Sequence, residues 1–100
     1  MDKKIYNIDE IKKMVEPVVQ KHGVKQLSIF GSYAKGNASS QSDIDFHLMK
    51  TGDLWGYFKL LGFKQDLENC LGVNVDVLTT GAMDSEVFNE VRKSEVLIYG

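Results

Sequence analysis

One hundred residues, 43% of them hydrophobic and 26% charged, with a formal net charge of −2, make one domain with a single modest core. That charge excludes a surface built for non-specific nucleic-acid binding, which needs a basic patch against phosphates, but it allows a nucleotide whose charge a metal offsets. The single cysteine, Cys70, excludes an intrachain disulfide, and with no signal-like start and no run near ~18 apolar residues a cytoplasmic protein is expected.

Asn7 followed three residues later by Glu10 predicts a capping box. Ile8, Ile11, Met14/Val15 and Val18/Val19 then recur at helical spacing, and Gly23 is the expected stop. Pro17 removes a backbone donor inside this run and predicts a kink or two short helices. Leu27–Phe30 reads as a strand stopped by Gly31, with one helical turn over Ser32–Lys35 and a polar loop over 36–42. From Asp43 to Met49, carboxylate and apolar residues alternate as along a strand.

A second helix is expected from about Leu54 to Leu71, capped by Asp53 and stopped by Gly72. Leu54, Tyr57/Phe58, Leu61, Phe63 and Leu67 supply its buried side, and Gly56 and Gly62 weaken it by roughly 1 kcal/mol each. Val73–Leu78 is the third strand, Asp84 or Ser85 caps a last helix carrying Val87, Phe88 and Val91, and Val96–Tyr99 is a terminal strand. This order predicts an α/β (α+β) fold, a small mixed sheet flanked by helices, in one domain over residues 1–100.

Alternation along the second strand puts Asp43, Asp45 and His47 on one face and Ile44, Phe46 and Leu48 on the other. In the third strand Asp76 stands opposite Val73, Val75 and Val77. Aspartate is depleted in strands and costly when buried without a partner. If these strands are neighbours, Asp76 comes alongside Asp43 and Asp45, and the three carboxylates repel one another unless a divalent cation neutralises them. Oxygen-only donors select hard ions such as Mg²⁺. Two such ions ~3.5–4 Å apart clamp the attacking and leaving oxygens of a phosphoryl displacement. The competing reading of Asp43 and Asp45 is a solvated strand face.

The Gly31-Ser32 turn favours the metal site. Glycine lets the backbone approach a phosphate closely, and Ser32 offers a hydroxyl and N–H groups at the start of a helical turn. Lys35, one turn later, is a point charge within reach of a triphosphate. His47 shares the aspartate face but is set aside as a hydrogen-bonded or solvent-facing residue. Trp55, Tyr57 and Phe58 are either core or a docking patch.

Gly31-Ser32, ten intervening residues, Asp43-Ile44-Asp45 and a later strand Asp76 resemble the signature of the DNA polymerase β-like nucleotidyltransferase superfamily. "IFGSYAKG…SDIDFHL" and "LGVNVDVLTT" look like its small branch, the minimal nucleotidyltransferases, over nearly the whole chain. The resemblance implies that Asp43, Asp45 and Asp76 bind two Mg²⁺ ions and that Gly31 and Ser32 hold the triphosphate of an incoming nucleotide, ATP or another nucleoside triphosphate. It also implies that Asp76 helps the acceptor hydroxyl lose its proton. Relatives often carry Arg where this chain has Lys35, which puts a bidentate phosphate grip in question.

Members of that branch are often the antitoxin beside a HEPN toxin, and several are thought to transfer AMP to a tyrosine of that partner. The expected activity is therefore Mg²⁺-dependent transfer of AMP from ATP to a hydroxyl. The alternatives are a non-catalytic antitoxin that binds a HEPN partner and a homo-oligomeric enzyme acting on a small molecule such as an antibiotic. Larger relatives of the small-molecule kind add a helical domain, whereas here the last strand ends near Gly100, so the acceptor site is expected to be completed by a partner protein or a second copy.

Overall fold

The computed structural model describes residues 5–52 and 55–100. Helix α1 (Ile8–Lys21) opens on the expected capping box: Asn7 Oδ1 accepts from Glu10 N–H at 2.8 Å, and Glu10 Oε1 accepts from Asn7 N–H at 3.0 Å. Pro17 lies inside α1 without dividing it. The lost backbone bond is offset by the face that a continuous helix buries through Ile11, Val15 and Val19, all fully inaccessible.

Gly23, at φ +70°, turns the chain into strand β1 (Val24–Phe30), which starts three residues earlier than the sequence pattern suggested. A short helix α2 (Gly31–Lys35) and a loop lead to β2 (Ile44–Thr51). Helix α3 (Tyr57–Leu71) and β3 (Val75–Thr79) follow. A 3₁₀ turn (Thr80–Ala82), α4 (Ser85–Ser94) and β4 (Val96–Tyr99) complete the chain. As expected, Asp84 caps α4, accepting from Val87 N–H at 2.8 Å.

Helix α3 departs from expectation at its start and on its buried face. It begins after Gly56 rather than at Leu54, while Asp53 and Leu54 lie outside the described residues. Trp55 precedes the helix because its indole N–H donates to His22 O at 2.6 Å and its ring meets Phe63 edge-on. The buried stripe is Phe63, Leu67 and Leu71, at i, i+4 and i+8; Tyr57, Phe58 and Leu61 are exposed instead.

The sheet order is β3-β2-β1-β4. β1 is antiparallel to β2 and to β4, whereas β2 and β3 run parallel, joined by the α3 crossover. One sheet face, with Leu27, Ile29, Ile44, Phe46, Leu48, Val75 and Ile98, packs on α1 and α3 to form the core. The opposite face carries Asp45, His47 and Asp76, and α4 lies across part of it through Phe88 and Glu95. No helix among the described residues is long and apolar enough to cross a membrane.

Candidate active site

β1 ends with Phe30 fully extended, and Gly31 then takes φ +73°. Two independent constraints meet at this glycine. Its backbone lies in the left-handed region that side chains disfavour, and a Cβ there would collide with the Asp45 carboxylate. The turn continues into α2, anchored in the core by Tyr33 and closed by Gly36 at φ +77°. Ser32 is half-buried at the start of α2, and Lys35 is exposed at its end.

The parallel ladder places Asp45 directly opposite Asp76, and their carboxyl groups are within hydrogen-bonding reach. Asp45 is half-buried. Burial first, then the charges of Asp76 and Asp43, push its pKa up to about 6. Asp43, just before β2, is exposed, and so is Asp76. The predicted trio is thus a close pair, Asp45 and Asp76, with Asp43 near enough to act on Asp45 through its charge.

Among the described residues no three His, Cys, Asp or Glu side chains are gathered into a ready-made metal cage. The donor set nonetheless fits a hard divalent cation by its chemistry. All donors are carboxylate oxygens, and the repulsion among them that helps raise the Asp45 pKa is what a bound cation would relieve.

A cavity of about 360 Å³ opens beside the pair, lined by Phe30, Asp45, Leu60, Leu61, Lys64, Asp76, Val77 and Leu78. On the other side of Phe30, a cleft of about 330 Å³ between α2 and α4 is lined by Gly31 and Lys35 with Glu86, Val87, Glu90 and Val91. Gly31 and Lys35 therefore share one depression, and Asp45 and Asp76 share the next. Sequence reasoning missed the α3 wall of the aspartate cavity. Lys64 belongs to no motif, and Leu61 fits the helical pattern of a core residue.

His47 was expected to be solvent-facing or hydrogen-bonded; it is hydrogen-bonded and almost fully buried, at 1% exposure. Its Nδ1 lies 2.8 Å from Glu95 Oε1 and its Nε2 lies 2.8 Å from Thr80 Oγ1. Ser28 donates its hydroxyl to the same Glu95 oxygen, and Arg92 Nε approaches the other at 3.5 Å. This network joins β1, β2, the 3₁₀ turn and the C-terminal end of α4. Glu95 carries no signal in the sequence, because its partner lies 48 residues away.

Residues 12–100 match the Polymerase beta nucleotidyltransferase family. The chain belongs to that family. The fold agrees: a structure described as a candidate minimal nucleotidyltransferase superposes with a TM-score of 0.77 at 22% identity, covering 91% of this chain and 95% of that one. Among relatives, MJ0435 of Methanocaldococcus jannaschii, named as a candidate protein adenylyltransferase, is 48% identical over 73% of this nucleotidyltransferase and 77% of its own length. The protein adenylyltransferase MntA of Thermococcus cleftensis is 28% identical over 79% of each chain. A toxin–antitoxin complex with AMP-PNP contains a chain of the same fold, with a TM-score of 0.75 at 19% identity, covering 89% of this chain and 73% of that one.

Proposed function

We propose that this nucleotidyltransferase is a cytoplasmic, Mg²⁺-dependent protein adenylyltransferase. It moves AMP from ATP to a tyrosine hydroxyl of a HEPN-domain partner and acts as the antitoxin of that pair. The observation that carries the reading is the Asp45–Asp76 pair packed against a glycine that no larger residue can replace without striking Asp45. The names of the adenylyltransferase relatives support the same chemistry, as does the shared fold of an antitoxin solved with a tri-AMPylated Shewanella oneidensis HEPN toxin.

Asp43, Asp45 and Asp76 would hold the Mg²⁺ ions, two by the resemblance. When bound, these supply charge neutralisation for the triphosphate and for pyrophosphate as it leaves. The chain does the positioning. Gly31 and Ser32 present backbone N–H groups and the Ser32 hydroxyl to the outer phosphates, with the Lys35 ammonium as a further positive charge. Asp76, the more exposed member of the pair, lines the same cavity and would take the acceptor's proton. The acceptor oxygen bonds to the α-phosphorus as the α–β phosphoanhydride bond breaks and pyrophosphate departs. Holding reactants in line and stabilising charge accounts for most of such a rate enhancement.

Incubation with α-labelled ATP, Mg²⁺ and a HEPN-domain protein of the same organism should label that protein. The Asp43→Asn/Asp45→Asn variant should leave it unlabelled. Neutralisation of the HEPN protein by the double variant, as effective as by wild type, would replace the reading with a purely binding antitoxin.

A further inference from the structure

We infer that the first two turns of α3 form the docking surface for the protein that carries the acceptor hydroxyl. The inference rests on the transferase reading above and deepens it. The occupant is a segment of the HEPN partner whose contact surface is apolar with an acidic residue at its rim.

The acceptor hydroxyl must enter beside Asp76, the exposed carboxylate of the pair. Whatever polypeptide carries it therefore covers the mouth of that cavity, where Leu61 and Lys64 of α3 and Leu78 of β3 stand. Leu61 is 44% exposed and Leu78 36%. The apolar surface does not stop at this rim. One turn back along the same helix, Tyr57 is 69% exposed and Phe58 86%, their rings edge-to-face with centroids 6.0 Å apart.

Tyr57, Leu61 and Lys64, at i, i+4 and i+7, share the side of α3 that adjoins the cavity. Two large aromatics left this exposed beside two leucines form the kind of patch that marks a protein interface. The charge points the same way. On that side of α3 stands Lys64, and the segment YFKLLGFK, residues 57–64, holds no carboxylate, so the surface that complements it carries an acidic residue beside apolar ones.

The test uses the intact chain and the HEPN-domain protein that it labels or binds. Calorimetry without nucleotide reads association, and AMP transfer and ATP·Mg²⁺ affinity are measured in parallel. Tyr57→Ser/Phe58→Ser should weaken association at least tenfold and raise KM for the HEPN protein with little change in kcat. Its ATP·Mg²⁺ affinity and melting temperature should match wild type, because both side chains point to solvent. Lys64→Glu should weaken association in the same sense.

Unchanged association in these variants overturns the docking surface, even if AMP transfer proceeds. Loss of self-association with HEPN association intact also overturns it, assigning the patch to a second copy. Association that depends on the patch without any AMP transfer by wild type keeps the docking surface and removes the transferase reading.

Discussion

Gly31 and Asp45 compete for one volume: a methyl group on the Gly31 Cα would overlap the Asp45 carboxylate. The glycine turn and the Asp45 carboxylate are thus packed as one unit, although thirteen residues separate them in sequence.

Gly31→Ala therefore carries two penalties, the positive φ and the displaced carboxylate. Gly36→Ala is its control, because Gly36 also has positive φ but nothing lies within 4 Å of its Cβ position. Both variants should lose about 1–2 kcal/mol in denaturant titrations from the left-handed backbone alone. Gly31→Ala should lose more than that, together with at least 100-fold in AMP transfer. Gly36→Ala should transfer within a few-fold of wild type.

The Asp45 carboxyl, raised to about 6 by burial and by its acidic neighbours, makes stability depend on pH. Its folded pKa exceeds the unfolded value, so between roughly pH 4 and 6 the native state binds the extra proton. The corresponding stabilisation is complete below the unfolded pKa and lost as pH rises through about 6. Melting temperature without metal should fall across this window, net of other groups. Asp45→Asn should remove that component of the profile.

The same repulsion opposes function and stability at one residue. Asp45→Asn replaces a carboxylate with an amide that donates to Asp76 across the parallel ladder. Above pH 7 and without Mg²⁺, its melting temperature should exceed that of wild type. Transfer activity should be abolished. A lower melting temperature in this variant would mean that the pair is not under electrostatic strain.

The His47 network is a structural staple behind the site. His47→Leu removes the imidazole that bonds both Glu95 and Thr80 from a position that is almost fully buried. The expected cost is about 1–3 kcal/mol in denaturant unfolding. Because neither ring nitrogen faces the aspartate cavity, ATP·Mg²⁺ affinity should change less than twofold.

Adding Mg²⁺ and ATP should raise the melting temperature, since ligands that bind only the folded state stabilise it by mass action. Differential scanning fluorimetry checks this directly. Asp43→Asn/Asp45→Asn should show no Mg²⁺-dependent rise.

Where the sequence was legible, local periodicity and covalent order decided the outcome. Alternation around Asp43-Ile44-Asp45 set the face, and the α3 crossover made β2 and β3 parallel neighbours, which brought Asp76 into register. The capping box at Asn7 and the Asp84 cap were readable because each is a contact within four residues. Helix α3 was not readable in the same way. Its first half is apolar on several sides, so the periodicity of Tyr57, Phe58, Leu61 and Phe63 could not say which side met the core. Packing against α1 chose Phe63 and Leu67. The His47–Glu95 contact and the Lys64 wall depend on long-range assembly, which leaves no local pattern.

Asp76 rides on β3, an edge strand that pairs only with β2 among the described residues. An edge strand offers its free N–H and C=O groups to any other chain that can pair with it. A ligand bridging Asp45 and Asp76 would tie that border strand to the sheet interior. Occupancy of the site thus bears on a hazard unrelated to chemistry: the loaded protein should be slower to exchange the amides of residues 75–79 and less prone to edge-to-edge aggregation than the empty one.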